Sequence, residues 1–276
     1  MPLTESIVDG LIQAVRLAAR TEIMPRFRNT AGDEIKSKSG PDDLVTIADC
    51  AAERVIWEAS ERLLPGALIV GEEAIEEDAG VLDALPKAKL AVIIDPIDGT
   101  WNFANGLPLF GVILAVVEDD ETTFGLLYDP ISDAWIRAGS GKGAFYCSSN
   151  GTRRRLSINT AGNGTIGVVP LFLFSSSVRK RLAPRLLEFD RVMSLRCSCF
   201  EYWLLAEGAC DFAIAGLMKP WDHAAGELVY REAGGFAAML PDGKRYRASR
   251  TVGHLLVARN PERWAALREV FAEPVS

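Results

Sequence analysis

The chain is short of the side chains that hold soft metals or act as nucleophiles. Among 276 residues there are two histidines and five cysteines. Cys50, Cys147, Cys197, Cys199 and Cys210 form no CxxC pair, so no zinc site is expected. Cys197 and Cys199 raise a redox reading, set against small buried thiols kept reduced in a cytoplasmic compartment. Long apolar runs are absent as well. The longest, residues 110–117, has strand length, well short of the ~18 apolar residues of a membrane span. Residues 1–13 mix polar and apolar positions, so no signal peptide is expected. There is no repeat and no low-complexity segment. Positive charge is in deficit: 30 Lys and Arg face 37 Asp and Glu, a net charge of −7. That balance argues against a nucleic-acid partner. The one dense basic run, Arg153-Arg154-Arg155, follows an Asn150-Gly151 turn and reads as a solvated loop.

What is present fits a soluble enzyme. About half the residues are apolar (49%), enough for a large core built as one domain or two coupled halves. Helical spacing marks residues 4–28, with Pro25 calling for a kink or an early end, and residues 44–64, halted by Pro65-Gly66. Residues 30–42 are loop-like, and 76–89 irregular or briefly helical. Short β runs at 110–117, 122–128, 134–138, 144–147 and 155–157 predict an antiparallel meander. From about residue 160 strands (166–169, 191–195, 211–215, 236–239, 255–258) alternate with helices (176–188, 200–209, 224–233, 261–271). The division drawn from this is an N-terminal α+β half, 1–158, carrying most of the acidic site. The C-terminal α/β half, 159–276, contributes Asp222 and the substrate pocket, and the two make one compact unit.

The most informative stretch is Asp95-Pro96-Ile97-Asp98-Gly99-Thr100. Residues 91–94 are all apolar and run into it, so a buried strand ends in two carboxylates, with Pro96 stopping the strand and Gly99 allowing a tight turn. Two fixed carboxylates among oxygen donors suit Mg²⁺. Backbone N–H groups of Gly99 and Thr100 could grip a phosphate ester beside it. A surface turn in which Asp95 and Asp98 cap the next helix is the competing reading. Two further acidic sites, Gly71-Glu72-Glu73 after an apolar run and Trp221-Asp222 opening a helix, weigh against it. Gly139-Ser140-Gly141-Lys142-Gly143 lacks the spacing of a phosphate loop and reads as a hairpin turn.

These motifs, in this order, resemble the inositol monophosphatase family, within the lithium-sensitive, Mg²⁺-dependent phosphatase superfamily that includes fructose-1,6-bisphosphatases. The likeness rests on Asp43-Leu44-Val45-Thr46-Ile47-Ala48-Asp49, Gly71-Glu72-Glu73, Asp95 to Thr100, and Trp221-Asp222 followed by Glu232-Ala233-Gly234-Gly235. It implies an α/β, layered αβαβα sandwich and a homodimer. It also implies two or three Mg²⁺ ions, with Li⁺ as an inhibitor. The implied ligands are Glu72, Asp95, the Ile97 carbonyl, Asp98 and Asp222, with Asp95 bridging. Glu72, Thr100 and Asp49 would activate the attacking water, without a phosphoenzyme. Gly99, Thr100, Ser198 and Asp222 would bind substrate. The implied partner is a small sugar or polyol phosphate, of the inositol 1-phosphate kind, with no nucleic acid and no membrane. A fructose 1,6-bisphosphate, histidinol phosphate or nucleotide 3′-phosphate ester, or a regulatory binding role, are the alternatives.

Other residues are read less sharply. Lys38 is either a side chain that swings toward the metals or a plain exposed lysine. Glu73 would sit behind Glu72, Trp221 would aim Asp222, and His223 is a donor beside Asp222 or a packing residue. The likeness breaks at the alcohol pocket. Ala215 stands where inositol-specific members have a Glu, and a methyl group accepts no hydroxyl. Arg196-Cys197-Ser198-Cys199-Phe200-Glu201 replaces a small Gly-Ser-Ala-Ala run, leaving Glu201 or Ser198 to take over polyol recognition. A bisphosphate would need a second cation, for which Lys142, Arg196 and Lys219 are the candidates.

Overall fold

A computed structural model describes residues 3–29, 35–40, 43–161 and 165–275, without the side chains of 35–45 and 77. Helix α1 (Glu5–Ala18) starts at Thr4, whose hydroxyl accepts the Ile7 N–H at 3.3 Å, and buries Val8, Leu11, Ile12 and Val15 along one stripe. It ends before Pro25 in a π-helical turn, Ala19–Ile23, closed by Met24 N–H donating to the Ala19 carbonyl at 2.8 Å. Strands β1 (Ile35–Gly40) and β2 (Asp43–Thr46) pair antiparallel. The loop expected over 30–42 is therefore partly strand, its polar composition notwithstanding, because the two segments pair with each other. Residues 30–34 and 41–42, and the side chain of Lys38, lie outside the described residues. Helix α2 (Ile47–Leu63) follows directly.

Next come β3 (Leu68–Gly71), α3 (Glu72–Glu77), α4 (Val81–Ala84), β4 (Leu90–Asp98), α5 (Thr100–Ala104), β5 (Gly111–Glu118), β6 (Glu121–Asp129), β7 (Ala134–Gly139), β8 (Gly143–Ser148) and β9 (Arg153–Arg155). They form a seven-stranded sheet in the order β3-β4-β5-β6-β7-β8-β9, parallel only at β3–β4. The run Arg153-Arg154-Arg155 is thus the exposed edge strand of this sheet rather than a loop. The glycine-rich segment 139–143 is the β7–β8 hairpin turn, its Gly141 and Gly143 amides donating to Glu232.

The rest of the chain is β10 (Ile166–Val168), α6 (Ser176–Arg185), β11 (Arg191–Met193), α7 (Ser198–Ala206), β12 (Phe212–Ile214), α8 (Pro220–Glu232), β13 (Phe236–Leu240), β14 (His254–Ala258) and α9 (Pro261–Val275). Its strands make a five-stranded mixed sheet, β11-β10-β12-β14-β13. Side-chain alternation sorts the layers. On β4 and β5, Val92, Ile94, Val112 and Leu114 pack under α1 and α2. Ile93, Ile113, Ala115 and Val117 face the opposite way, toward α7 and α8. The second sheet covers the far side of α7 and α8, and α6 and α9 close it with Leu182, Trp264, Leu267 and Phe271. The chain is an αβαβα sandwich. Among the described residues no helix is long and apolar enough to cross a membrane.

Helix α8 is held very close to the large sheet. A Cβ on Gly125, in β6, would lie 2.7 Å from the Ala225 carbonyl oxygen and 3.0 Å from Ala225 Cα. Both are backbone atoms, so nothing flexible can yield. Gly125→Val should therefore lower stability by about 1–3 kcal/mol or more. The check is a urea titration, in which the midpoint falls and the slope is kept; an unchanged midpoint would mean that α8 is not seated on β6.

Candidate metal centre

Strand β4 does not stop at Pro96. Asp95 opposes Ile113 and Asp98 opposes Gly111, so three steps on β4 match two on β5. The extra residue makes a bulge, which accommodates a proline without an N–H and bends the strand tip. Asp95 and Asp98, 1% and 6% exposed, thereby reach the same side. Gly99 then reverses the chain at φ +87° with Cβ space blocked 3.1 Å away by the Leu109 carbonyl, a conformation that glycine adopts freely. Asp222 arrives from the first turn of α8. One carboxylate oxygen each of Asp95, Asp98 and Asp222 lies within 4.8 Å of the others. Parallel pairing of Gly71 with Ile94 brings Glu72, first residue of α3, beside them, and all four acids line one cleft.

Two of these acids, and Asp49 behind them, are held by specific contacts. Asp98 Oδ1 accepts the Ser198 N–H at 3.0 Å, and its Oδ2 accepts the Cys199 N–H at 2.5 Å and the Cys197 thiol at 3.0 Å. The first turn of α7 thus stands against its charge. Glu53 of α2 accepts the Glu73 and Ala74 N–H groups at 2.9 and 3.0 Å, capping α3 and so fixing Glu72. Asp49 is fully buried. Its Oδ2 accepts the Thr46 N–H at 2.8 Å and the Thr46 hydroxyl at 2.5 Å, and its Oδ1 lies 3.2 Å from the Thr100 hydroxyl. That hydroxyl also lies 2.9 Å from the Ile97 carbonyl, and the two acceptors share its single proton.

Placing these acids together is electrostatically unfavourable. Burial, then Glu72 and Asp98, push the Asp95 carboxyl well above the usual range. Burial raises Asp98 to about 6, against the opposing bonds from Cys197, Cys199 and Ser198. Asp222 is raised by burial and by Asp98, with Lys219 relieving part of the repulsion. Lys219 Nζ is 3.4 Å from Glu72 Oε1. Asp95 Oδ1 is buried with no donor. A buried orphan oxygen, mutually repelling carboxylates and an oxygen-rich donor set fit a hard divalent cation. Burial and the nearby acids keep the Cys197 and Cys199 thiols far above their ordinary range, so neither offers a thiolate.

The other expected residues are dispersed in role. Ser198 lines the cleft and contributes its backbone N–H to Asp98. Glu73 is absent from the cleft lining and presents its N–H to Glu53. Glu201 lines the cleft, but its Oε1 accepts the Leu195 N–H at 2.8 Å, and burial raises it to about 7. His223 is a packing residue: burial lowers it to about 4, its Nε2 donates to the Leu217 carbonyl at 2.7 Å, and its Nδ1 lies 3.1 Å from the Tyr202 hydroxyl. Trp221 is buried and carries Lys219 5.4 Å above its ring. Lys142 is in the β7–β8 turn, outside the cleft. Sequence reasoning missed Glu53, although it sits one helical turn after Asp49, and the Asp98-binding groups of Cys197 and Cys199, which no motif marks.

With this geometry in place, the comparisons with known proteins are specific. The model of the inositol monophosphatase family matches residues 4–272. The chain is 33% identical over 204 residues to the fructose-1,6-bisphosphatase/inositol-1-monophosphatase of Thermotoga maritima, covering 74% of each. It is 32% identical over 233 residues to Nus factor SuhB of Escherichia coli strain K12, covering 82% of this chain and 81% of that one. It is 32% identical over 231 residues to the histidinol-phosphatase of Mycobacterium tuberculosis, covering 82% and 86%. The solved structure of the Thermotoga maritima IMPase superposes with a TM-score of 0.76 at 28% identity, covering 97% of this chain and 98% of its own.

The acid cluster predicts how metal-free stability follows pH. Asp98 titrates near 3.8 when unfolded and at about 6 when folded, so between those values the folded state holds more protons and loses stability as pH rises. For this one group the loss is about 3 kcal/mol, and Asp95 and Asp222 act in the same direction. In chelator, Asp95→Asn should melt above the parent at pH 7, with the difference vanishing near pH 4. Thermal melts across that range check it, and equal melting at pH 7 would contradict it.

Proposed function

The chain belongs to the inositol monophosphatase family, and on that premise we propose that it is a Mg²⁺-dependent phosphomonoesterase acting on a sugar or polyol phosphate. The observation that carries this is the convergence of Asp95, Asp98 and Asp222 within 4.8 Å, with an orphan buried oxygen on Asp95. Glu72, Asp95, Asp98, Asp222 and the Ile97 carbonyl would hold the ions. When bound, Mg²⁺ supplies Lewis acidity toward the phosphoryl oxygens and acidifies a water.

The chain's own groups do the rest. Thr100 offers its hydroxyl oxygen to the attacking water's proton while Asp49, anchored by Thr46, holds the hydroxyl in place. Gly99 and Thr100 amides would steady the phosphoryl oxygens. Water oxygen bonds to phosphorus, the ester P–O bond breaks, and the alkoxide takes a proton to leave as the alcohol with inorganic phosphate. Inositol 1-phosphate is the reference ester. The names of two matched relatives add fructose 1,6-bisphosphate and histidinol phosphate to the substrates worth assaying.

The match to proteins named Nus factor SuhB supports a second reading, a regulatory binding role that needs no hydrolysis. The two separate in one experiment. Phosphate release from inositol 1-phosphate, fructose 1,6-bisphosphate and histidinol phosphate is measured with and without Mg²⁺, for the parent and Asp95→Asn. Hydrolysis predicts Mg²⁺-dependent turnover that Asp95→Asn lowers at least about 100-fold, more than the loss typical of a group one layer removed from a metal. Turnover that survives Asp95→Asn would sink the assignment, and no turnover by a folded parent would shift it to the binding role.

A further inference from the structure

Two conspicuous stretches, Gly139-Ser140-Gly141-Lys142-Gly143 and Arg153-Arg154-Arg155, take no part in the acid cleft. The large sheet brings them together at its edge. Arg137 of β7 opposes Phe145 of β8, which opposes Arg155 of β9. Alternation along the strands puts Arg137, Phe145, Arg153 and Arg155 on one face. This is the face that carries α1, since Arg137 pairs with Glu5 and Asp9 of that helix at 2.9 and 3.7 Å. Arg154 points the opposite way and pairs with Glu207 at 2.7 Å.

Between that face and the start of α1 lies a cavity of about 180 Å³. Leu3, Glu5 and Val8 line it from the helix side, and Arg137, Lys142 and Arg153 from the sheet. It shares no lining residue with the acid cleft. Glycines make room for the cations. Lys142 Cδ lies 3.1 Å from where a Cβ on Gly139 would stand, and Arg155 Nη2 lies 3.0 Å from where one on Gly143 would. Arg153 is steadied by the Phe145 ring, its guanidinium carbon 4.4 Å from the centroid.

The acids nearby are engaged elsewhere. Glu5 and Asp9 face Arg137, and Glu232 accepts the Gly141 and Gly143 N–H groups at 2.8 Å each. Among the described residues no carboxylate pairs with Lys142, Arg153 or Arg155. In a chain of net charge −7, three cations therefore crowd one cavity with their mutual repulsion unrelieved.

We propose that this cavity binds a small, multiply charged phosphate, at a site separate from the acid cleft. Lys142 grips its oxygens from the hairpin turn and Arg153 from the edge strand, while Arg155 adds charge from the same face. Arg137 stays tied to α1. A tetrahedral oxyanion presents oxygens in several directions, which suits cations arriving from separate elements, whereas one planar carboxylate is matched by a single guanidinium fork. The bound anion links β9 to the start of α1. This needs neither a metal nor hydrolysis, so it stands or falls apart from the phosphomonoesterase reading.

The test titrates pyrophosphate into the protein by calorimetry, in chelator and ~0.15 M salt. Without a metal the carboxylates of the cleft repel the probe, so the titration reads the basic cavity. One pyrophosphate should bind per chain. Lys142→Ala and Arg153→Ala should each weaken it about 10-fold or more, as for a charge-assisted contact. Both side chains are exposed, so neither change opens the core. Arg154→Ala removes the same charge from the far face, where salt screens it, and should leave binding nearly unchanged. Pyrophosphate should also raise the melting temperature of the parent but not of Lys142→Ala/Arg153→Ala. No binding, or binding that Arg154→Ala weakens as much as Arg153→Ala, overturns the proposal. A single-stranded oligonucleotide that binds through Lys142 and Arg153 where pyrophosphate does not would also overturn it, in favour of a nucleic-acid surface.

Discussion

Carboxylates crowded at the end of a buried strand repel one another, and most of the local architecture exists to hold them there. Asp95 and Asp98 come from one bulged strand and Asp222 from a helix far along the chain, yet one oxygen of each lies within 4.8 Å of the others. No attraction between the acids brings them together. The first turn of α7 faces Asp98, Glu53 caps α3 beneath Glu72, and Thr46 locks Asp49. Each brace turns backbone N–H groups toward a carboxylate, which lets the charge persist in a site short of water. The remaining repulsion is what a divalent cation would relieve, so the metal-free fold stores the driving force for binding.

The second sheet matters because α8 must be clamped from both sides. Backbone contact at Gly125 sets its distance from the large sheet, and the strands β12, β13 and β14 cover its other flank. His223 finishes the job at the helix start. Neutral through burial, it donates to the Leu217 carbonyl and meets the Tyr202 hydroxyl, tying the segment before Asp222 to α7. Asp98 and Asp222 are thus both referenced to α7, one through its amides and one through Tyr202. A shift of α7 would move both acids together.

Much of this was legible in the chain. Apolar runs ending in acids located β3 and β4, Trp221-Asp222 marked the opening of α8, and the meander and the alternating second half appeared where the pattern placed them. The misses have physical reasons. Pro96 reads as a strand terminator because it lacks an N–H, but a bulge removes the need for one. Residues 35–40 look like loop because pairing with 43–46, not side-chain burial, makes them a strand. Glu201, read beside Ser198 as a group for polyol recognition, does line the cleft, but no local pattern shows that its Oε1 also takes the Leu195 N–H. Arg196 was one of three cations of equal standing, and only its position in the cleft, against the Trp101 and Phe172 rings, sets it apart.

The division follows from range. Hydrophobic periodicity, the turn residues and the acid-bearing motifs are local, so the sequence by itself determined the layered class, the family and the four carboxylates that converge. Which groups neutralise those carboxylates is set by contacts between residues far apart in the chain, such as Asp98 with Cys197 to Cys199 or Glu53 with the start of α3. Local pattern carries no record of such distances. Only the tertiary structure decided that Arg196 stands in the cleft with the acids while Lys219 pairs with Glu72, because both depend on how the turn before α7 and the start of α8 pack against β4 and α5.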